Sequence, residues 1–135
     1  MDIVSSTQRS SNMAAVRGRE TKPERAVRSA LHALGLRFRL YQTSLPGSPD
    51  IVLRRHRTVV LVHGCFWHGH DCSRGKAPST RLDFWLPKLA GNRQRDARQV
   101  KELQSLGWRV LVVWECETKD QAKLSRRLAR LFKIA

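Results

Sequence analysis

Between residues 22 and 34 the apolar positions fall at Val27, Ala30, Leu31 and Leu34, a three-then-four spacing that lays one stripe along a helix. Thr21 stands ahead of it with Pro23 in the first turn and Glu24 three residues on, the pattern of a capping box, and Gly35 supplies the stop. Arg37 to Tyr41 alternates basic and apolar side chains like a half-buried strand, and Leu45 to Pro49 makes a turn-rich loop. Two apolar runs follow, Asp50 to Leu53 and Thr58 to His63, joined by the short polar stretch Arg54 to Arg57, so they read as an antiparallel hairpin. Centred on His56, that hairpin sets Asp50 opposite Val62.

Leu82 to Leu106 carries Leu86, Leu89, Ala97, Val100, Leu103 and Leu106 among many charges, which predicts a long helix with Gly91 as the place to interrupt it and Gly107 as its end. Trp108 to Trp114 reads as a central strand, and Leu124 to Phe132 as an amphipathic terminal helix. Upstream, Ser5 to Val16 places Met13 and Val16 in a polar, basic context, a short exposed helix. The order helix, hairpin, long helix, strand, helix predicts an α/β fold, a mixed sheet with helices on its faces. Residues 1–135 then form one domain, with 1–20 as an arm free to meet a partner.

The length of 135 residues fits that single unit, and 41% hydrophobic with 27% charged residues is globular. The longest apolar runs, Val59 to Val62 and Val110 to Trp114, fall far short of the about 20 residues that span a bilayer. Met1 to Ser11 is polar and lacks the basic-then-apolar order of a signal peptide, so a reducing, cytoplasmic setting is expected. Charge changes the picture most. Lys and Arg number 26 against 11 Asp and Glu, a net +15. Such self-repulsion points to a polyanionic partner, and because the cations are spread through the chain, nucleic acid is favoured over a membrane surface.

Chemistry concentrates in Cys65-Phe66-Trp67-His68-Gly69-His70-Asp71-Cys72. With Cys116 just past the predicted strand, this gives the Cys3His set of a structural zinc site, and the spacing favours His70 over His68 as the histidine ligand. The competing readings are three inert buried thiols or, less compatible with a reducing compartment, a disulfide. A second constellation is Asp50, at the head of one hairpin strand, with His63 at the tail of the other, His68 in the loop and Glu24 on the first helix. Phosphodiester hydrolysis needs an oxygen ligand for Mg2+, a base for water and positive groups at phosphate, and these residues can supply them. Pro49-Asp50 is equally an ordinary turn, and the histidines are equally satisfied core or loop residues. The aromatic pairs Phe66-Trp67 and Phe84-Trp85, flanked by Arg74, Lys76, Arg81 and Lys88, are either core or wedges that unstack a duplex. Trp108 and Trp114 read as strand core.

The segments SLPGSPDIV (44–52), VHGCFWHGHDC (62–72), FWLPKLAGN (84–92), RD (95–96) and LGWRVLVVWEC (106–116), with RSSNM (9–13) upstream, together resemble the very short patch repair (Vsr) DNA mismatch endonucleases. The resemblance implies a restriction-endonuclease-like fold and an enzyme that nicks one strand 5′ to the thymine of a T:G mismatch left by 5-methylcytosine deamination. It implies Asp50 as the Mg2+-binding carboxylate, with the backbone carbonyl of Val62 beside it, His68 as the group that activates water, Glu24 as its helper and His63 at the scissile phosphate. It implies Zn2+ on Cys65, His70, Cys72 and Cys116, intercalation by Phe66, Trp67 and Trp85, and pressure from the opposite groove by Met13 and Val16. Where the family often has threonine this chain has Val62, so a side-chain hydroxyl is lost while a backbone carbonyl is not. Asp96 sits at a position the family shares, with the orientation of a histidine as one role open to it. A monomer acting on mismatched duplex DNA in a bacterial cytoplasm, with other repair proteins as possible partners, completes the expectation. The alternatives are a nuclease of the same fold with another DNA target and a non-catalytic zinc-stabilised DNA-binding module.

Overall fold

A computed structural model of the chain describes residues 21–68, 70, 72 and 80–134. Helix α1, Lys22–Ala33, begins as its sequence dictates: the Glu24 backbone N–H donates to the Thr21 hydroxyl at 3.3 Å, and Pro23 occupies the first turn. Gly35, at φ +84°, lets the chain turn away behind it. The strands are β1, Arg39–Leu40; β2, Ile51–Leu53; β3, Thr58–His63; and β4, Arg109–Trp114. Helix α2, Leu82–Ser105, connects β3 to β4, and α3, Gln121–Leu131, closes the chain. The predicted first strand, Arg37 to Tyr41, shortens to two residues because Tyr41 adopts a left-handed φ of 51°. The predicted arm helix, Ser5 to Val16, lies outside the described residues.

The four strands lie in the order β1-β2-β3-β4, antiparallel up to β3, with β4 parallel to β3 through the α2 crossover. Side chains alternate cleanly. Ile51, Leu53, Val60, Leu111 and Val113 point to one face, where α1 adds Val27 and Leu31 and α3 adds Leu124 and Leu128. Val52, Val59 and Leu61 point to the other, against Leu103 of α2 and Trp108. The result is a sheet covered on both faces, as the element order predicts.

Four expectations change. β4 is the sheet's edge strand among the described residues, not a central one; it is shielded by α2, by the 3-10 turn Glu115–Thr118 and by α3. The hairpin register is one residue off a centre at His56: Ile51 faces Val60 and Leu53 faces Thr58, which by extension puts Asp50 opposite Leu61. The turn sets this, because Arg54–His56 form a 3-10 turn and Arg57 returns the chain at a left-handed φ of 51°. Helix α2 runs through Gly91 unbroken for 24 residues, with Pro87 inside it. Trp114 is half-buried and lines a pocket instead of filling the core, whereas Trp108 is buried.

Candidate nuclease and metal sites

The reactive residues collect at one end of the sheet, where β2 begins and β3 and β4 end. Asp50 sits just ahead of β2, and its Oδ2 accepts the Val62 backbone N–H at 3.0 Å, so the register shift still leaves the two in contact. In an extended strand the N–H and C=O of one residue point to the same side, so the Val62 carbonyl also faces Asp50. Burial drives the Asp50 pKa up from 3.8 to about 6, opposed by the Val62 hydrogen bond and reinforced by the nearby Glu24 carboxylate. A desolvated carboxylate with a carbonyl beside it and a second acid close by suits a hard divalent cation, whose charge offsets that penalty.

Asp50, Val62, His63, His68, Asp96 and Gln99 line one small cavity of about 190 Å³. His68 donates from Nδ1 to Asp96 Oδ2 at 2.5 Å, which reaches the loop from α2 and leaves Nε2 free to accept a proton. His63 stacks on His68 with centroids 4.0 Å apart and planes 3° from parallel. With Asp96, these two histidines bring one donor atom each to within 4.8 Å of one another, a second group that could hold a metal ion. Burial first, then the neighbouring His68, lower the His63 pKa from 6.5 to about 4. At neutral pH His63 is therefore an uncharged N–H donor. Glu24, only 2% exposed, accepts the Tyr41 hydroxyl at 2.6 Å and shares an adjoining cavity with His68, Val62 and Glu115.

Next to this centre Cys65, His70, Cys72 and Cys116 bring one donor atom each to within 4.8 Å of one another. The loop is folded for it: His70 N–H donates to the Cys65 carbonyl and Cys72 N–H to the His70 carbonyl, both at 2.9 Å, while Glu115 accepts the Cys65 N–H at 3.3 Å. No disulfide joins these cysteines. Burial pushes the Cys65 thiol up to about 12 and raises that of Cys116, an unfavourable setting for thiolates that a bound cation reverses. Three sulfurs and one imidazole nitrogen fit a closed tetrahedral zinc site, and the cluster can bind zinc. Trp114 is the wall between the two groups, stacked on His70 at 4.1 Å and edge-on to His63 at 5.3 Å.

A third group is aromatic. Phe66 and Trp67 from the loop meet Trp85 of α2 at 5.4 and 5.8 Å, and Phe84 adds a ring 5.0 Å from Trp85. Trp67 is 48% and Phe84 45% exposed, so these rings are not core. Arg81 lies over Phe84, and Lys88 reaches both Phe84 and Trp67. Reading the residues alone did not assign Tyr41, Gln99 or Glu115 to the site. Tyr41 follows β1 in a left-handed turn, Gln99 projects from within α2 and Glu115 opens the turn after β4, so tertiary packing brings them in. Met13 and Val16 lie outside the described residues.

A mixed four-stranded sheet with flanking helices defines a restriction-endonuclease-like fold, and a solved structure shares it. The catalytic domain of the homing endonuclease I-Bth0305I superposes with a TM-score of 0.57 over 84% of this chain and 96% of that one, at 19% identity. The family model described as DNA mismatch endonuclease Vsr matches residues 1–74. The DNA mismatch endonuclease Vsr of Escherichia coli is 47% identical over 124 residues, 92% of this chain and 80% of that one. The type II nicking enzyme V.XorIIP of Xanthomonas oryzae is 51% identical over 130 residues, 96% of each chain. This chain belongs to the Vsr family of DNA endonucleases. None of its described helices is long and apolar enough to cross a membrane.

Proposed function

We propose that the enzyme nicks one strand of duplex DNA 5′ to the thymine of a T:G mismatch and so initiates very short patch repair. The observation that carries this reading is the desolvated Asp50 carboxylate, bonded to Val62 N–H, in one cavity with the His68–Asp96 pair. Asp50 and the Val62 carbonyl would hold Mg2+, which would supply charge stabilisation at the phosphate. His68 takes the proton of the attacking water at Nε2, because Asp96 fixes Nδ1 as the protonated nitrogen. Asp96 is thus a positioning residue. Glu24, itself held by Tyr41, helps His68 orient that water. His63 donates a neutral N–H to the scissile phosphate.

Phe66, Trp67 and Trp85 wedge into the stack beside the mismatch, with Lys88 meeting the backbone. Met13 and Val16, on an arm formed by residues 1–20 of a single 1–135 domain, press from the other groove. Cys65, His70, Cys72 and Cys116 would hold Zn2+ and so tie the loop that carries the wedge and His68 to the end of β4. A monomer suffices, since one nick at an asymmetric lesion needs no two-fold partner, and the bacterial cytoplasm is where such DNA is met.

End-labelled duplexes differing only in one T:G or C:G pair, in varied flanking contexts, test the reading. A Mg2+-dependent nick 5′ to the mismatched thymine, abolished by EDTA and absent from matched DNA, supports it. Cutting of both strands of matched DNA replaces it with a restriction-type activity. Binding without a nick in any context replaces it with a non-catalytic module.

A further inference from the structure

Helix α1 leads away from Glu24 with a second, unrelated face. Arg25, Arg28, Ser29 and His32, spaced one turn apart, line a cleft of about 450 Å³ closed on one side by Phe38 of the segment before β1. Its lining holds two guanidiniums, an imidazole and a hydroxyl, and no carboxylate. Among the described residues, Arg28 Nη1 is buried with no hydrogen-bond partner. A buried donor left without an acceptor calls for a ligand or a water to satisfy it. The cleft on α3 shows the contrast. There Arg127 Nη1 is likewise buried without a hydrogen bond, but it has an ion-pair partner in Glu117 at 2.9 Å, and Glu117 and Asp120 offset Lys119, Lys123, Arg126 and Arg130. The α1 cleft has no such internal answer.

We propose that this cleft binds a backbone phosphate of the duplex, on the flank of the bond that is cut. The guanidinium fork of Arg28 matches two phosphate oxygens, Ser29 offers a third donor, and Phe38 supplies an apolar part of the lining. Arg28 lies four residues beyond Glu24, about 6 Å of helix rise. One rigid helix therefore delivers an acid to the nuclease centre and a phosphate clamp within a few nucleotide steps of it. The proposal rests on the nuclease reading above and adds a fixed grip, independent of base sequence, that sets where the duplex lies.

The test is the salt dependence of duplex binding by the full-length, zinc-loaded protein, on T:G and matched DNA. Arg28→Gln lowers the slope of log Kobs against log salt by about 1, equally on both duplexes, as expected for one phosphate contact. Arg25→Gln lowers it too and serves as the measurement should Arg28→Gln not fold. Arg55→Gln, in the hairpin turn at the opposite end of the sheet, leaves the slope unchanged. Wild-type slopes from folded Arg28→Gln and Arg25→Gln overturn the proposal, as does an equal loss from Arg55→Gln. Inorganic phosphate at constant ionic strength supplies another arm: stabilisation of the wild type but not of Arg28→Gln, with unaltered DNA slopes, overturns it in favour of a free-anion site. If the wild type binds no duplex at all, the nuclease reading itself has failed.

Discussion

Two side-chain clusters share the end of this sheet and one wall, Trp114, yet they are built on opposite principles. Cys65, His70, Cys72 and Cys116 are soft or borderline donors, all of one local design, converging on a common point within 4.8 Å. Asp50, Glu24, His63, His68 and Asp96 come from five places in the chain, bring hard oxygens and imidazoles, and surround open space. The first arrangement can close on an ion and so tie the loop after β3 to the residues after β4. The second keeps room for a substrate and places each group against a different partner. Neighbouring positions on one loop, His68 and His70, thus fall on opposite sides of a division between cross-link and chemistry.

Breaking the cross-link separates the two most sharply. Cys116→Ser is expected to release zinc and, at about 2 kcal/mol, the scale of a lost covalent link, to lower Tm by roughly 8 °C. Zinc content and thermal melts check this. Nicking should be lost together with the fold of the loop. Asp96→Asn is expected to do the reverse, leaving zinc content and Tm near wild type while nicking under single-turnover conditions falls by about 10- to 100-fold. Because the amide no longer fixes the protonated nitrogen of His68, the pH profile of nicking should also change shape.

How much of this the residues announce differs between the clusters for physical reasons. The sulfur cluster is legible because few residue types do its work and three of its members lie within eight positions. The start of α1 is legible because Thr21, Pro23 and Glu24 act locally. The carboxylate–imidazole cluster is assembled by tertiary contacts instead. Its Asp96 sits 28 residues from His68, on a helix whose face is set by packing. The hairpin register escaped because Ile51, Val52 and Leu53 are buried on both faces, so no alternation marks which residue faces which. The edge position of β4 escaped for a related reason. Val110 to Val113 is as apolar as a central strand because α2, α3 and the turn after it cover that edge. Trp114, read as core, proved to be the partition between the sites.

Proton competition separates the clusters more gently. The folded state raises the Asp50 pKa from 3.8 to about 6, so without a divalent ion it binds the proton more tightly than the unfolded chain does. Stability attributable to Asp50 is therefore present at low pH and lost as pH rises from about 4 through about 6. Mg2+ should offset that loss, and because binding must displace one proton, its apparent affinity should fall about tenfold per pH unit below pH 6. Titrations of Mg2+ against thermal stability at several pH values measure both. The smallest effect is expected from Val62→Thr. With the backbone carbonyl as the contact and Val62 only half-buried at the margin of the core, a restored hydroxyl should alter nicking less than about threefold, a change of about 0.5 kcal/mol.

Asp50→Ala, assayed beside the wild type for both duplex binding and single-turnover nicking, tests the division most directly. The expected result is duplex binding and zinc content close to wild type, with nicking reduced by at least about 10³-fold, the loss of several kcal/mol of charge stabilisation. Nicking that survives the substitution would move the catalytic centre away from Asp50 and contradict the account.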